Sequence, residues 1–565
     1  MTAETLGRRR RLLHLNLGAV LAVSTVVLGY GINHSGIATA FVDPISHIRG
    51  QDESVYAHIS LRMAERGGWL TPVYMGRYLL QKPPLLVWIS GFSLKLFGPT
   101  LAALRAPSLI AAVAATGLIF FWISRSYSLE AAWTAAIFLL SNPLWHTLAR
   151  LCYLDMLFVF WVISALYCLY RDPALENRRF RVGFAACTAA AIMTKSLAGL
   201  IPLIVLALRA LIWRKDEVSW ARAAQLIAIV VGLAGPWHLY QMLVHPQWFW
   251  ADYVQVQLIG FGTHPPAQSS DESQIWFYFR RLWDSDPVLM GLAILSLFPL
   301  LRKLYQRESL DSALLAALLS AWIAVVMGAL LAFRYRNLPY ALYMIPPLAI
   351  LAAVYPPRWL IFSKYARTAL LSAVFLAKVI FPSQPWGLPL GSAQPLPSAA
   401  AIRSYSEQKR PNELIVVSPE DEFYSSSLSL PQVRYAFVDP SGVVASYAPH
   451  YVYLGITVTA PEFIHISDLQ SEFLTRLRGW GMASSEGLAT AIVMQSEADV
   501  VELVRARPSS DFLIPSRIAE SLPLETASEA LSGHSVKNTE GAWFLLAGYP
   551  PRDPPSPVFS RVPRW

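Results

Sequence analysis

The sequence predicts a polytopic α-helical membrane protein of about eleven transmembrane helices, followed by a soluble α/β domain. Three observations carry this prediction. Hydrophobic residues fill 55% of the 565 positions and charged residues only 15%, against roughly 25% charged in a soluble globular chain. Apolar runs close to the ~20 residues that cross a bilayer recur from Leu12 to Phe381. Beyond Phe381 the composition shifts to a Pro, Ser and Gly linker and then to a mixture of short β-type runs and helical stretches.

The elements follow in order. Arg8-Arg9-Arg10-Arg11 precedes an apolar run from Leu12 to about Ile32, which reads as a first span with its basic end in the cytoplasm. Ala38-Thr39-Ala40 resembles a cleavage site, so a signal peptide is the alternative. Either reading puts Asp52 on the outer side. Further spans are expected near 100–124, 129–149, 154–170, 180–194, 197–213, 222–240, 286–301, 310–332, 338–355 and 359–381. The connections that then face the cytoplasm hold Arg125, Arg171, Arg178, Arg179, Arg181, Arg214, Lys215, Arg222, Arg302, Lys303, Arg307, Arg358, Lys364 and Arg367. The short outer connections around Arg150 and Lys195 are poorer in basic residues, as positive-inside bias requires. An odd number of spans places the C-terminal domain outside, in the periplasm or its extracytoplasmic equivalent.

Residues 1–382 are therefore expected to form the membrane domain, 383–399 the linker and 400–565 the outer domain. Strands are expected at Leu414–Ser418, Tyr451–Thr459, Ala489–Met494 and Ala542–Ala547, and helices at Leu469–Trp480 and Ser496–Arg507. Two long outer loops, 33–99 and 238–286, interrupt the membrane domain. In the first, Val55, Ile59, Met63 and Ala64 share one helical face, and Leu86, Ile89, Phe92 and Leu96 another. Both helices are expected to lie in the interfacial plane, separated by Gly67-Gly68 and Pro72. The second loop carries Trp248, Phe249, Trp250 and Tyr253, with Trp237 just before it, which suits contact with lipid or sugar.

The net charge of +9 is distributed over loops and not gathered on one soluble face, so no nucleic-acid partner is indicated. Cys152, Cys168 and Cys187 lie in or beside apolar segments without metal-ligand spacing, and His238, His245 and His264 show none either. No metal ligand set or cofactor motif is legible, and a requirement for a divalent cation is left open.

Ionisable groups near hydrocarbon cost several kcal/mol unless paired or hydrated. Asp52, Glu53, Lys82, Arg150, Asp155, Lys195, Arg334 and Arg336 all fall at predicted outer ends of spans or in outer loops. Taken singly, each reads as a solvated or snorkelling charge, and Lys195 equally as the C-terminal cap of a helix. Their convergence on one side favours chemistry. A carboxylate can deprotonate a hydroxyl or amine nucleophile while cations hold a departing phosphate. A sugar on a polyprenyl phosphate would supply that leaving group, already anchored in the membrane.

Several short motifs carry a family resemblance. They are Asp52-Glu53-Ser54-Val55-Tyr56-Ala57, Gly68-Trp69-Leu70-Thr71-Pro72 and Lys82-Pro83-Pro84-Leu85 with Trp88. Arg150 to Asp155, Thr194-Lys195, Gly235-Pro236-Trp237, Arg336-Asn337-Leu338-Pro339 and Pro346-Pro347-Leu348-Ala349 follow in the family's order. In these the chain resembles membrane glycosyltransferases of the GT-C class, in the group of the lipid A aminoarabinose transferases and protein O-mannosyltransferases. The resemblance covers about half of the chain, from Asp52 to Ala353. It implies a polyprenyl-phosphate sugar donor, transfer outside a bacterial inner membrane and inversion at the anomeric carbon. It implies that Asp52 engages or deprotonates the acceptor, with Asp155 as the second acidic position and Glu53 as the neighbour of Asp52. It also implies that Lys82 and Arg336 bind the donor phosphate and that Tyr56 borders the same cavity. The acceptor would be a lipid such as lipid A, a cell-envelope glycan or a protein.

The chain departs from the family twice. Lys195-Ser196 stands where Lys-Gly is common, and Gln255 to Phe261 lacks the Glu-His usual in the second outer loop. Two other readings compete. A lipid or glycan transporter would carry ionisable groups deep within its helices and an internal repeat, and no repeat is visible. An inactive glycan-binding scaffold would tolerate replacement of Asp52 and Lys82.

Overall fold

A computed structural model describes residues 3–33, 51–74, 77–212, 218–260, 273–306, 310–333, 336–356, 364–382 and 388. Toward the C-terminus it describes 405, 412–419, 434–438, 491–494, 498–516, 518, 535–539 and 543–547. The chain opens with helix α1 (Ala3–Gly29), then α2 (Gln51–Arg66), strands β1 (Val73–Tyr74) and β2 (Arg77–Tyr78), and α3 (Leu85–Phe97). Next come α4 (Leu101–Ser126), α5 (Leu129–Ser141), α6 (Pro143–Ala149), α7 (Leu154–Arg171) and α8 (Arg178–Lys195). They are followed by α9 (Ile201–Ile212), α10 (Trp220–Val244), α11 (Gln274–Ser285), α12 (Pro287–Gln306), α13 (Leu310–Ala332), α14 (Ile345–Val354) and α15 (Lys364–Ile380).

Among the described residues seven helical stretches are long and apolar enough to cross a membrane, and Arg178–Ala210 is one of them. The remaining predicted spans correspond to shorter apolar helices, at Leu129–Ser141, Leu338–Val354 and Leu371–Ile380. Local chemistry explains the breaks. The expected span 129–149 is divided because Asn142 caps α6, accepting from Trp145 N–H at 3.1 Å, with Pro143 at the first helical position. Thr100 and Ser128 cap α4 and α5 in the same way. Between α8 and α9 the chain turns through a 3₁₀ segment, Ser196–Leu200, with Ser196 at φ +52°. A Cβ on Gly199 would stand 2.2 Å from the Ile192 backbone nitrogen, so this corner closes only around glycine.

The direction of these helices sorts the charges. Asp155 opens α7 and Lys195 closes α8, and the two side chains meet at one end of this antiparallel pair. At the opposite end Arg209 donates to Pro173 O at 2.9 Å and Arg222 to Ala174 O, beside the Arg178, Arg179 and Arg181 cluster.

Around α2 and α3 the sequence expectation is corrected in part. Val55, Ile59 and Met63 are buried, but so are Tyr56, Ala57 and Leu61, so α2 is enclosed on more than one face and does not simply float in an interface. Helix α3 turns Val87, Ser90, Gly91 and Leu94 inward and leaves Phe92 and Leu96 exposed. Gly91 permits this packing, since a Cβ there would meet Ser60 O at 3.0 Å and the Trp69 ring at 3.2 Å.

The C-terminal residues form β3 (Leu414–Pro419), β4 (Arg434–Val438), β5 (Ala491–Met494), α16 (Ala498–Ala506), β6 (Asp511–Pro515), β7 (Ser535–Thr539) and β8 (Trp543–Ala547). Their sheet has the order β5-β4-β3-β6-β8-β7. Strands β5, β4, β3 and β6 are mutually parallel, while β8 pairs antiparallel with β6 and β7. Ile415 and Val417 pack with Val500 and Val504 of α16, and Leu414 and Val416 are buried on the other face. Burial on both faces is what makes β3 an unbroken apolar run. The expected elements Tyr451–Thr459 and Leu469–Trp480, most of the linker, and Ala38-Thr39-Ala40 lie outside the described residues.

Candidate active site

The site grows from the first turn of α2, where Asp52 and Glu53 face a helix N-terminus that favours negative charge. The two carboxylates have different surroundings. Glu53 is fully buried and takes a bidentate pair from Arg105, Nε to Oε1 at 2.7 Å and Nη2 to Oε2 at 2.8 Å. The Cys152 amide donates to Oε1 at 2.9 Å, and Arg105 Nη1 donates to Ile32 O at 2.8 Å. Two oxygens are thus met by three donors, and Glu53 ties α2 to α4, to the end of α1 and to the entry of α7. Asp52 is half-buried, and its charge acts on Tyr56, Lys82 and Tyr340.

A second group gathers around Asp155, which is buried in the first turn of α7. Lys195 Nζ reaches its Oδ1 at 2.6 Å, and the Tyr343 hydroxyl donates to the same oxygen at 2.5 Å. Lys195 also sits over two rings, 4.3 Å from the Tyr340 centroid and 5.1 Å from that of Tyr343. These tyrosines lie three apart in the 3₁₀ segment Leu338–Met344, where i and i+3 eclipse. Their rings stack at 5.9 Å, and Phe158 meets Tyr343 edge-on at 5.0 Å.

Lys82 follows the β1–β2 hairpin. Leu79 N–H donates to Pro72 O at 3.0 Å, and Leu80 N–H donates to Asp252 Oδ2 at 3.2 Å. The Lys82 pKa is lowered to about 7, by desolvation first and by the Lys195 charge second, with Asp52 and Asp155 acting in the opposite direction. The Tyr56 hydroxyl is raised by burial and then by Asp52 and Asp155, so it stays neutral. Burial likewise raises Asp252 well above the usual carboxylate range. Asp252 lies in a π-helical stretch, Phe249–Gly260, that includes residues 255–260 of the segment lacking Glu-His.

The glycine–tryptophan motif docks on α10. Trp237 Nε1 and Gln241 Nε2 both donate to Leu70 O, at 2.8 Å and 2.7 Å, and Trp88 Nε1 donates to Trp69 O at 2.5 Å. Gly67 and Gly68 hold φ of +79° and +75°, which the preceding helix end requires. The motifs Gly68 to Pro72, Trp88 and Gly235-Pro236-Trp237 therefore form one joint that carries the Lys82 loop.

Arg336 is 9% exposed, with its guanidinium carbon 5.8 Å from the Phe277 centroid and its charge acting on Tyr278. The Asn337 N–H, next in the chain to Arg336, donates to the Tyr278 hydroxyl at 3.4 Å. Arg150 donates from Nε to His146 O at 3.2 Å and from Nη1 to Tyr30 O at 2.9 Å. Arg334 lies outside the described residues. Among the described residues, no three of His, Cys, Asp and Glu are grouped to hold a metal ion.

Sequence reasoning missed Arg105, Tyr278, Tyr340, Tyr343 and Asp252. Arg105 had a signal, an arginine only five residues into a predicted span. Tyr340 and Tyr343 had none beyond their nearness to Arg336 in the sequence, and Tyr278, far from it in the chain, had none at all. A further buried pair, Lys378 Nζ to Asp286 Oδ2 at 2.6 Å, was also missed; Lys378 donates to Ser141 O as well and joins α15 to α5 and α12.

Known proteins bear on this arrangement. The family described as dolichyl-phosphate-mannose-protein mannosyltransferase matches residues 81–240. An undecaprenyl phosphate-alpha-4-amino-4-deoxy-L-arabinose arabinosyl transferase of Shewanella sediminis is 26% identical over 313 residues, 54% of each chain. The enzyme of the same name from Aeromonas hydrophila is 26% identical over 314 residues, 54% of this chain and 55% of its own. The chain thus spans about half the length of the curated relatives it matches. Among solved structures, ArnT from Cupriavidus metallidurans bound to undecaprenyl phosphate superposes with a TM-score of 0.60 at 16% identity, covering 94% of this chain and 97% of that one. The archaeal oligosaccharyltransferase AglB from Archaeoglobus fulgidus, in complex with an inhibitory peptide and a dolichol-phosphate, gives 0.50 at 13% identity, covering 96% and 74%. The fold is that of these membrane transferases, and the chain resembles the GT-C glycosyltransferases of the ArnT and protein mannosyltransferase kind.

Proposed function

We propose that this chain, GT-C-like in fold and in motif, is an integral-membrane glycosyltransferase that moves a sugar from a polyprenyl phosphate to an extracytoplasmic acceptor. The observation that carries the reading is the gathering of Asp52, Asp155, Lys82 and Lys195, from four separate segments, within one another's electrostatic reach. In the proposed step an oxygen or nitrogen of the acceptor attacks the anomeric carbon and gives its proton to Asp52. The bond from that carbon to the phosphate oxygen breaks, and the polyprenyl phosphate leaves with the electron pair. Lys82 and Arg336 disperse the charge that develops on the leaving oxygen. A single displacement inverts the anomeric centre.

Asp155 is assigned to holding Lys195 and Tyr343 in place, with Tyr56 bordering the same site. Glu53 is assigned to anchoring α2 through Arg105, and Arg150 to closing α6 against α1. The acceptor class is a lipid such as lipid A, an envelope glycan or a protein. The proposed setting is a bacterial inner membrane, with the N-terminus cytoplasmic and residues 400–565 on the outer side.

Release of free polyprenyl phosphate from a panel of polyprenyl-phosphate sugars, with membrane extract as acceptor source, tests the reading. Wild-type protein in nanodiscs is expected to release it, and Asp52→Asn to lose at least about a hundredfold in rate. Equal release by both would remove Asp52 from the chemistry.

A further inference from the structure

We propose that α11 is a lipid-surface helix that sets the position of Arg336, with Phe277 as the positioning residue. The proposal rests on the assignment of Arg336 to the donor phosphate. Helix α11 has two sides. On the inner side Phe277 and Tyr278 are buried, and the Arg336 guanidinium lies over the Phe277 ring at 5.8 Å. The Asn337 N–H donates to the Tyr278 hydroxyl at 3.4 Å, and Gln274 Nε2 donates to Phe333 O at 3.0 Å. These contacts bracket the short segment that carries Arg336. An aromatic face attracts a guanidinium and fixes its plane, so Phe277 controls where the planar donor fork points. Arg281 of the same helix lies 5.3 Å from the same ring centroid, placing a second cation at this ring.

On the outer side Ile275, Trp276 and Trp283 are exposed. Trp276, Phe279 and Trp283 form a stacked row, with centroids 5.6 Å and 6.0 Å apart and ring planes within 22°. The occupant that fits this face is the phospholipid interface. Only Asp286 separates α11 from α12, a helix long and apolar enough to cross a membrane, and exposed Ile294, Leu295, Phe298 and Leu301 continue the apolar surface along it. Exposed Arg280, in the same helix, suits the anionic headgroup level. The lipid that covers α11 on one side and the cation that meets the lipid-linked donor on the other are thus connected through one helical turn.

The test uses full-length protein in nanodiscs of phosphatidylethanolamine and phosphatidylglycerol, and undecaprenyl phosphate as the probe. Phe277→Leu is expected to weaken binding about fivefold, and to weaken it no further in an Arg336→Gln background. Tyr278→Phe, which keeps the ring and removes the hydroxyl, is expected to behave in the same way through a second contact. Equal losses in both backgrounds would reduce Phe277 to a packing residue and overturn the positioning role, as would no loss. If Arg336→Gln itself leaves binding unchanged, the donor-phosphate assignment fails and the positioning role fails with it. A nitroxide on Phe279→Cys reads the outer face. Relaxation by oxygen with protection from an aqueous nickel complex is expected; access to the aqueous agent, or protection from both, would overturn the lipid contact.

Discussion

Desolvation and the neighbouring Lys195 pull the Lys82 pKa down to about 7, and only Asp52 and Asp155 oppose them. The consequence is a sign that can be measured. A glycosyl phosphodiester donor has a fixed negative charge, so it binds the ammonium form of Lys82 and raises its pKa. Below pH 7 the ammonium is already present and this group adds no pH dependence. Above pH 7 the free site must take up a proton to bind, and affinity falls by up to about tenfold per unit. The KM for donor is therefore expected to rise between pH 7 and 8.5 in the wild type and to stay flat in Lys82→Arg, because a guanidinium does not titrate there. A flat wild-type profile would show that Lys82 does not meet the phosphate. Position alone made Lys82 legible, in a Lys-Pro-Pro loop between apolar runs. Its pKa was not legible, because the groups that set it lie in three other segments.

At the scale of elements, the corner from α8 to α9 decides where Lys195 ends. Lys195 is the last residue of α8, and the 3₁₀ turn folds back so closely that Gly199 touches the backbone of Ile192 and Ala191. Gly199→Ala is expected to cost about 3 kcal/mol or more, since backbone cannot yield as a flexible side chain does. It is also expected to lower transferase activity by moving Lys195 away from Asp155. Thermal unfolding in detergent together with turnover checks this. Unchanged stability would mean that the corner is looser than the contact implies. The corner was foreseen only as a short outer connection, because nothing in Lys195-Ser196-Leu197-Ala198-Gly199 encodes which backbone it will meet. The fold of α2 and α3 was legible to a similar depth. Their helical periodicity was readable, but burial of Tyr56, Ala57 and Leu61 depends on the neighbours that close over them.

For the whole molecule, the arginine-lined end at Arg178, Arg209 and Arg222 opposes the end holding Asp155 and Lys195. If basic loops face the cytoplasm, the acidic end and the C-terminal sheet face outward. Arg179→Cys and Ser509→Cys, each at an exposed position and in the full chain, put that to a test with a membrane-impermeant maleimide on spheroplasts. Labelling is expected at 509 without lysis and at 179 only after lysis. The reverse pattern would invert the topology and move the proposed chemistry to the cytoplasmic face.

The sequence by itself determined the membrane class, the placement of the apolar segments and the positions of Asp52, Lys82, Asp155, Lys195 and Arg336. Hydropathy, loop charge and short motifs are local along the chain, and a single sequence exposes them. Only the tertiary structure decided how those charges are partnered. It separated Glu53, saturated by Arg105 and the Cys152 amide, from Asp52, which acts on Tyr56 and Lys82. It also brought Tyr278, Tyr340 and Tyr343 to a site that no motif had attached them to. The reason is physical. A buried charge is defined by the donors and dipoles around it, and here those donors come from helices up to 188 positions apart in sequence.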